Sequence, residues 1–408
     1  MTYFDYLDKL KDNNKIAIKI AWLNYDDTVA FEFTDELYDL SGTLNVNRQN
    51  GTRRTCTISL NNSRNRFPID YNNIWFGQKF KLWMGVYLND TTPFYIPQGV
   101  FYVKDPSDIY SPTEKKITIE GVDKWAMLDG TLGGYIDGIY QTPINTNLFD
   151  AIRNLLLTSK LTGDILARDS INIYDALDPV IPLLDNYYLK TDGTIKDIAK
   201  CPYTAIQERG KTYADILLEY ADILGAAIYY DANGRLVVKP LHENIYDDDK
   251  EILWEFTVNE REFMGLDQKS NFTKVYNDVI VLGNIISGKQ AKARVQNTNP
   301  MSNTCVGKIG LKTRPPYEDT QYVTDEQCKA LAEEYLKQET ILQKSGTITS
   351  SPLFHLDVDK LCTVSTPNNQ MKKDKYLING YSLPISNIGT MSIEVTNVVD
   401  LQFTEVAE

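Results

Sequence analysis

Alternation of apolar and polar residues dominates the first 130 positions. Ile16, Ile18, Ile20 and Trp22 alternate with Lys15, Ala17, Lys19 and Ala21, the two-residue period of a strand with one face buried. Cys56, Ile58 and Leu60 alternate with Thr55, Thr57 and Ser59, and Phe80, Leu82, Met84 and Val86 follow the same period with Lys79 and Lys81 on the opposite face. Ile117 and Ile119 alternate with Thr118 and Glu120. Turn-forming pairs such as Asn50-Gly51 and Asn89-Asp90 separate these runs, which predicts an antiparallel β barrel or sandwich over 1–130.

Helical spacing takes over in 131–250. Leu148, Ile152, Leu155 and Leu156 recur at helical intervals behind Asn145-Thr146-Asn147, which offers an N-cap. A second helix is predicted to start at Thr212, whose hydroxyl caps while Asp215 answers three residues on. Its apolar face is Tyr213, Ile216, Leu217, Tyr220, Ile223 and Leu224. The runs 226–230 and 235–240 read as strands joined at Asp231-Ala-Asn-Gly234. Gly130-Thr-Leu-Gly-Gly134 reads as a hinge into this region, and Asp247-Asp248-Asp249 as a solvated turn near its end.

From 251 to 408 the strand period returns around one helix, at about 324–343. Thr324 and Gln327 form its capping box, and Cys328, Leu331, Tyr335 and Leu342 share one face. The run Val275-Tyr-Asn-Asp-Val-Ile-Val-Leu-Gly283 reads as a strand, followed by an irregular basic segment that ends at Pro315-Pro316. Tyr376 and Ile378, then Met391, Ile393 and Val395, mark later strands. The stretch 376–398 echoes 101–122 in pattern: strand, connection containing Pro and Ser, strand. The predicted fold class is mainly β with an α/β insertion, with β domains at 1–130 and 251–408 flanking a mixed domain at 131–250.

Size and charge narrow the function. A chain of 408 residues exceeds a single core, since domains average about 150 residues. A net charge of −13 argues against a broad nucleic-acid-binding face, which needs clustered Lys and Arg. Five widely spaced cysteines give neither a disulfide framework nor a zinc spacing and read as reduced thiols. No apolar run reaches the roughly 18 residues a membrane span needs, and the start carries no signal-peptide pattern. Synthesis and retention in a cytoplasm are therefore expected.

Candidate chemistry is sparse. The two histidines, His242 and His355, lie far apart, and no serine elbow or cysteine-protease signature accompanies them. Asp247-Asp248-Asp249 and Asp357-Val-Asp359 are candidates for calcium, although neither fits an EF-hand and exposed turns explain both. No phosphate-binding glycine loop occurs, so no cofactor and no enzymatic activity are expected. One feature departs from the acidic background: Lys289, Lys292, Arg294, Lys308, Lys312 and Arg314 form a basic island, which reads either as a dock for an acidic partner or a neighbouring copy, or as a solvated loop.

Several segments resemble bacteriophage baseplate hub proteins, including the hub portion of siphophage tail-associated lysins. They are Arg53-Arg-Thr-Cys-Thr-Ile-Ser-Leu-Asn-Asn62, Gly99-Val-Phe-Tyr-Val-Lys-Asp105 with Ile117-Thr-Ile-Glu-Gly-Val-Asp123, and the blocks 213–240 and 276–364. Their order along the chain is more specific than any one of them. The resemblance implies two tube-like antiparallel β-barrel domains per subunit and a homotrimer whose pseudo-sixfold ring continues the tail tube. Its implied partners are tail tube or distal tail ring proteins on one side and a tip or spike protein on the other. DNA would pass through the channel without specific binding, past an acidic or neutral wall. The implied location is the virion, after assembly in the host cytoplasm. The chain ends at Glu408, directly after the hub-like portion, so the peptidase or lysozyme domain of larger tail-associated lysins is not expected. Two other readings stand beside it: a hexameric distal tail ring protein, and a carbohydrate-binding or hydrolytic tail protein with an aromatic-lined cleft.

Overall fold

The computed structural model describes residues 3–10, 15–24, 27–34, 39–70, 73–112, 114–158, 190, 194–240, 252–257, 260, 262–286, 288–318, 322, 324–340, 344–366, 374–386, 388–398 and 406–407. Asp247-Asp248-Asp249, His242 and Leu342 lie outside the described residues. The protein is mainly β, built on one large sheet.

A short helix, α1 (Tyr3–Leu10), opens the chain and buries Tyr6 and Leu10 on one face. Seven strands follow: β1 (Ile16–Leu23), β2 (Val29–Thr34), β3 (Ser41–Asn47), β4 (Arg54–Asn61), β5 (Lys79–Tyr87), β6 (Pro93–Tyr110) and β7 (Lys115–Asp123). The predicted alternation sets their register. Trp22, Ile20 and Ile18 stand opposite Phe80, Leu82 and Met84, and Ile58 and Leu60 stand opposite Ile119 and Ile117, so the apolar side chains of paired strands fall on one face. At Gly121 a Cβ would lie 2.7 Å from Cys56 Sγ and 2.8 Å from the Phe80 ring, so glycine is what lets these strands pack this closely.

One expectation changes here. β1 is buried on both faces, because Ala21 and Leu23 pack with Val100 in a small cluster of their own. Lys79, expected on a solvated face, is 1 % exposed and meets Asp27.

The middle region starts with the 3-10 turn Lys124–Met127, in which Asp123 caps the Trp125 N–H. It continues through β8 (Tyr140–Thr142), α2 (Leu148–Thr158), β9 (Ala205–Gln207), α3 (Tyr213–Leu224), β10 (Ala226–Tyr230) and β11 (Leu236–Pro240). Asn147 Oδ1 accepts from Phe149 N at 3.0 Å, the predicted cap of α2. Thr212 and Asp215 close the predicted capping box of α3, and Gly225 ends the helix at φ 60. Leu148, Ile152, Leu155, Leu217 and Tyr220 join one hydrophobic cluster with Ile228 and Val238 of the predicted hairpin. Gly130–Gly134 is a tight turn and not a free hinge: Gly134 O accepts from Tyr213 N, and Leu128 O from Ala214 N, so the turn is stapled to the start of α3.

The last region holds β12 (Ile252–Thr257), β13 (Phe263–Ser270), β14 (Asp278–Ile286), β15 (Lys289–Asn297), α4 (Val306–Ile309), β16 (Tyr317–Glu318) and α5 (Asp325–Glu339). It ends with β17 (Lys344–Ser350), β18 (Leu361–Ser365), β19 (Asp374–Pro384), β20 (Met391–Asn397) and β21 (Val406–Ala407). The capping box of Thr324 and Gln327 forms as predicted. The irregular basic segment is corrected in its first part, since Lys289–Asn297 is a regular strand antiparallel to β14. Ala291 and Val295 of that strand pack with Val279, Val281 and the α5 residues Cys328, Ala332 and Leu336 in a further cluster.

The early and late β regions are joined through one sheet. Strand order in the main sheet is β13-β17-β20-β19-β3-β4-β7-β6-β5-β1-β2, with β12 and β18 branching from β19, and the path is open among the described residues. The cause is the length of β19. Its first half pairs with β18 and its second half with β3, placing Val46 opposite Tyr381 and Leu44 opposite Leu383, while β20 covers its other edge. One hydrophobic cluster accordingly runs from Ile18, Ile58 and Leu82 to Ile348, Ile378 and Ile393.

Candidate functional site

The densest polar chemistry lies where the early strands, the late strands and the middle region meet. β4 begins with adjacent arginines, Arg53 and Arg54, which are 4 % and 3 % exposed. Arg54 Nη2 reaches Asp357 Oδ1 at 2.6 Å, and Nη1 donates to Gln98 O at 3.0 Å. Arg53 Nη1 reaches Asp359 Oδ2 at 2.7 Å, and Nε donates to Gln49 O at 2.7 Å. Its guanidinium stacks 3.3 Å from the centre of the Tyr229 ring, which belongs to β10. Arg48 completes the set by donating to Asp359 Oδ1.

Asp123 anchors the other side of this seam. Oδ2 accepts from Arg53 N at 2.8 Å and Arg54 N at 3.0 Å, and Oδ1 from Trp125 N at 3.1 Å. Burial pushes its carboxyl up to about 6, against the pull of those N–H groups and of Arg54. Burial would also raise Asp359, but Arg53 and Arg48 overcome it and hold Asp359 below the usual carboxylate range. Desolvation works against the charge of Arg54, yet Asp357, Tyr381 and Asp123 leave its pKa raised. Nearby, the ammonium groups of Lys79 and Lys124, each 1 % exposed, share the two oxygens of Asp27.

These charges pair with one another. Each carboxylate oxygen of Asp359 faces a guanidinium, and Arg53 and Arg54 each bond one Asp carboxylate and one backbone carbonyl, with Arg54 Nε left over, so the cluster provides adhesion between segments. Asp357 and Asp359, the sequence candidates for calcium, are thus arginine partners. Their spacing suits either role, because a metal and a guanidinium both seek convergent carboxylate oxygens. The signal that marks the seam was present as the twin arginines heading an otherwise apolar, alternating strand.

His355 is a packing residue. Its ring lies 5.0 Å from Trp254, its Nδ1 is 3.1 Å from the Tyr6 hydroxyl, and burial lowers its pKa to about 4, which keeps it neutral near pH 7. An open groove of about 400 Å3 between β3, β4 and the β6–β7 turn is lined by polar residues including Ser41, Ser59, Asn61, Glu114 and Lys116. Among the described residues no aromatic ring lines it, so they offer no stacking face of the kind the predicted sugar site uses.

The basic island is only partly brought together. Arg294 forms a two-bond fork on buried Asp278, at 2.8 and 2.7 Å. Arg314 Nη1 lies 2.9 Å from Glu339 Oε1, and its guanidinium stacks on Tyr317. Lys289, 84 % exposed, lies 3.8 Å from Asp325. Lys312 Nζ donates to Phe272 O at 2.9 Å, Lys308 Nζ donates to Asn303 Oδ1, and Lys292 is exposed on β15. Two of the six cations, Arg294 and Arg314, therefore brace this unit internally.

No protein-family model matches the chain, and no curated protein matches it. Solved phage tail proteins share its fold. It is similar to the tail protein from Neisseria meningitidis MC58, with 10 % identity, a TM-score of 0.58, and 95 % of this chain and 98 % of that one covered. The 43 kDa tail protein of prophage MuSo2 from Shewanella oneidensis is 12 % identical at a TM-score of 0.55, covering 94 % and 98 %. Prophage tail protein gp18 from Listeria monocytogenes EGD-e is 14 % identical at 0.51, covering 94 % of each chain. The chain thus has the fold of phage tail proteins, which bears out at the level of fold the resemblance read in the sequence.

Proposed function

We propose that this chain is a structural subunit of a phage tail tip or baseplate, forming a trimeric central hub that continues the tail tube and carries the tip or spike. The observation that supports this best is end-to-end fold likeness to phage tail proteins, with at least 94 % of both chains covered in each case. A sheet assembled from both ends of the chain suits such a role, because it makes a continuous wall. In this reading the β regions 1–130 and 251–408 act as tube-like units and 131–250 as the insertion between them. The subunit is non-enzymatic, resides in the virion after assembly in the host cytoplasm, and contacts tail tube or distal tail ring proteins. Its channel passes DNA without specific binding, in keeping with a charge of −13 per chain.

Negative-stain imaging and mass photometry of the purified protein test this. A ring with a central channel and a mass near three times 46.5 kDa is expected. A strictly hexameric ring would favour the distal tail reading, and a monomer that turns over glycans would replace the proposal by the hydrolytic one.

A further inference from the structure

We propose that the loop 298–316, between β15 and β16, is a preformed surface through which this chain binds the acidic surface of a second copy of itself. This rests on the ring reading above and assigns the contact to one place. Three side chains that are 0 % exposed hold the loop from within: Asn277, Asp278 and Asn297. Asn277 Nδ2 donates to Thr304 O at 3.0 Å and Gly310 O at 2.8 Å, while its Oδ1 accepts from Lys312 N at 2.7 Å. Asn297 Nδ2 donates to Ser302 Oγ at 2.9 Å and Thr340 Oγ1 at 2.6 Å. Asp278 O accepts from Arg314 N at 2.9 Å, and its carboxylate accepts from the Thr313 hydroxyl. The loop's shape is therefore fixed by polar contacts on its inner side.

Its exposed residues include large apolar side chains among Thr298, Asn303, Lys308 and Thr313. Met301, Ile309 and Leu311 are 74 %, 42 % and 53 % exposed, and Phe272, tied to the loop through its carbonyl and Lys312, is 69 % exposed. A loop that is held in shape from within while large apolar groups stand exposed holds hydrophobic surface in water until something covers it. Charge identifies the cover. The loop 298–316 carries three cations and no carboxylate, in a chain whose total is −13; Arg314 is met by Glu339, whereas Lys308 and Lys312 bond neutral oxygens, Asn303 Oδ1 and Phe272 O. Lys308 and Lys312 flank the apolar side chains in sequence, so an acidic protein surface is the complement, and a second copy of this chain, at a net charge of −13, is an acidic protein present at equal concentration. A contact between this loop and a different surface of the next copy is head-to-tail, the geometry that closes into rings. Because the shape is preset, little ordering cost attends association.

The test is sedimentation velocity of the full chain and of two variants, Ile309→Asp/Leu311→Asp and Phe272→Ser, at low and high salt. All the substituted side chains are exposed, so unchanged thermal unfolding is the control on folding. Wild type is expected to form species above 46.5 kDa that weaken with added salt. Each variant should raise the dissociation constant by about tenfold or more, and Lys308→Glu should reproduce the effect of salt. If wild type assembles and both variants assemble equally well, the loop is not the contact and the ring reading stands. If wild type stays monomeric at all concentrations up to about 100 μM, both the assignment and self-association fail.

Discussion

Replacing Asp359 by Asn would leave the backbone undisturbed while removing the anion that two arginines share. Asp359 sits at φ 62, in the left-handed region that Asn adopts more readily than most residues. Its Oδ2 is the carboxylate partner of Arg53, whose side chain is 3 % exposed. Arg53 would keep its bond to Gln49 O and its stack on Tyr229, but the guanidinium would remain buried without that counter-charge. Breaking a buried ion pair from one side costs about 3 to 5 kcal/mol, and the retained amide oxygen returns about 1 kcal/mol as a neutral hydrogen bond. A net loss of about 2 to 4 kcal/mol at pH 7 is expected, read as a lowered midpoint in urea with an unchanged slope. Arg48, whose side chain is 36 % exposed, should contribute under about 1 kcal/mol when cut to Ala. The pH dependence carries a sign. Asp359 is depressed below 3.8 in the folded protein, so its contribution is present above that value and is lost as pH falls through the folded pKa. The gap between wild type and Asp359→Asn should therefore shrink below about pH 4. A variant within about 0.5 kcal/mol of wild type at pH 7, or a gap undiminished in acid, would refute the reasoning.

Leu217, 0 % exposed within the middle cluster, should cost about 3 to 5 kcal/mol when changed to Asp; unchanged thermal stability would show that its face of α3 is not packed. Gly121→Ala should lower the unfolding midpoint by an overpacking penalty of about 1 to 3 kcal/mol, since the new methyl meets Cys56 and Phe80, and a neutral result would mean that β4 and β7 separate easily. Asn277→Ala should expose 298–316 to limited proteolysis and destabilise by about 2 to 4 kcal/mol, because three loop backbone groups lose their partner. Lys289→Ala should change stability by less than about 0.5 kcal/mol, its pair with Asp325 being open to solvent.

Period and capping were readable because they are local. Ile58 and Leu60 had to face inward together, and Thr212 with Asp215, like Thr324 with Gln327, marks a helix start within four residues. Pairing partners were not readable. A two-residue period states which face a strand buries and says nothing of its neighbour, so the contact of Val46 with Tyr381 could not be read from either segment. β15 was hidden for a different reason: its inward positions include Ala291 and Ala293, small side chains whose apolar signal is outweighed by Lys292 and Arg294 between and beside them. The burial of Lys79 depended on Asp27, a contact 52 residues away in sequence that no periodicity records.

The same non-local pairing explains why the charged seam lies where it does. Strands from the two ends of the chain gain a continuous apolar core by meeting at β3 and β19; alternation there excludes a slip of one residue, which would turn the apolar face outward, but not a slip of two. Fixed charges do: displacing the late strands along the early ones would part Arg54 from Asp357 and Arg53 from Asp359 while all four groups are wholly or partly out of water. Stacking of Arg53 on Tyr229, with Gly51 N donating to Ile228 O at 3.0 Å, extends that discrimination to the middle region. The seam is then best understood as a register lock. It predicts that a hydrophobic replacement of all four charged residues would retain much of the stability, while the single Asp359 change loses it, because what the ion pairs supply beyond a packed apolar interface is choice of alignment.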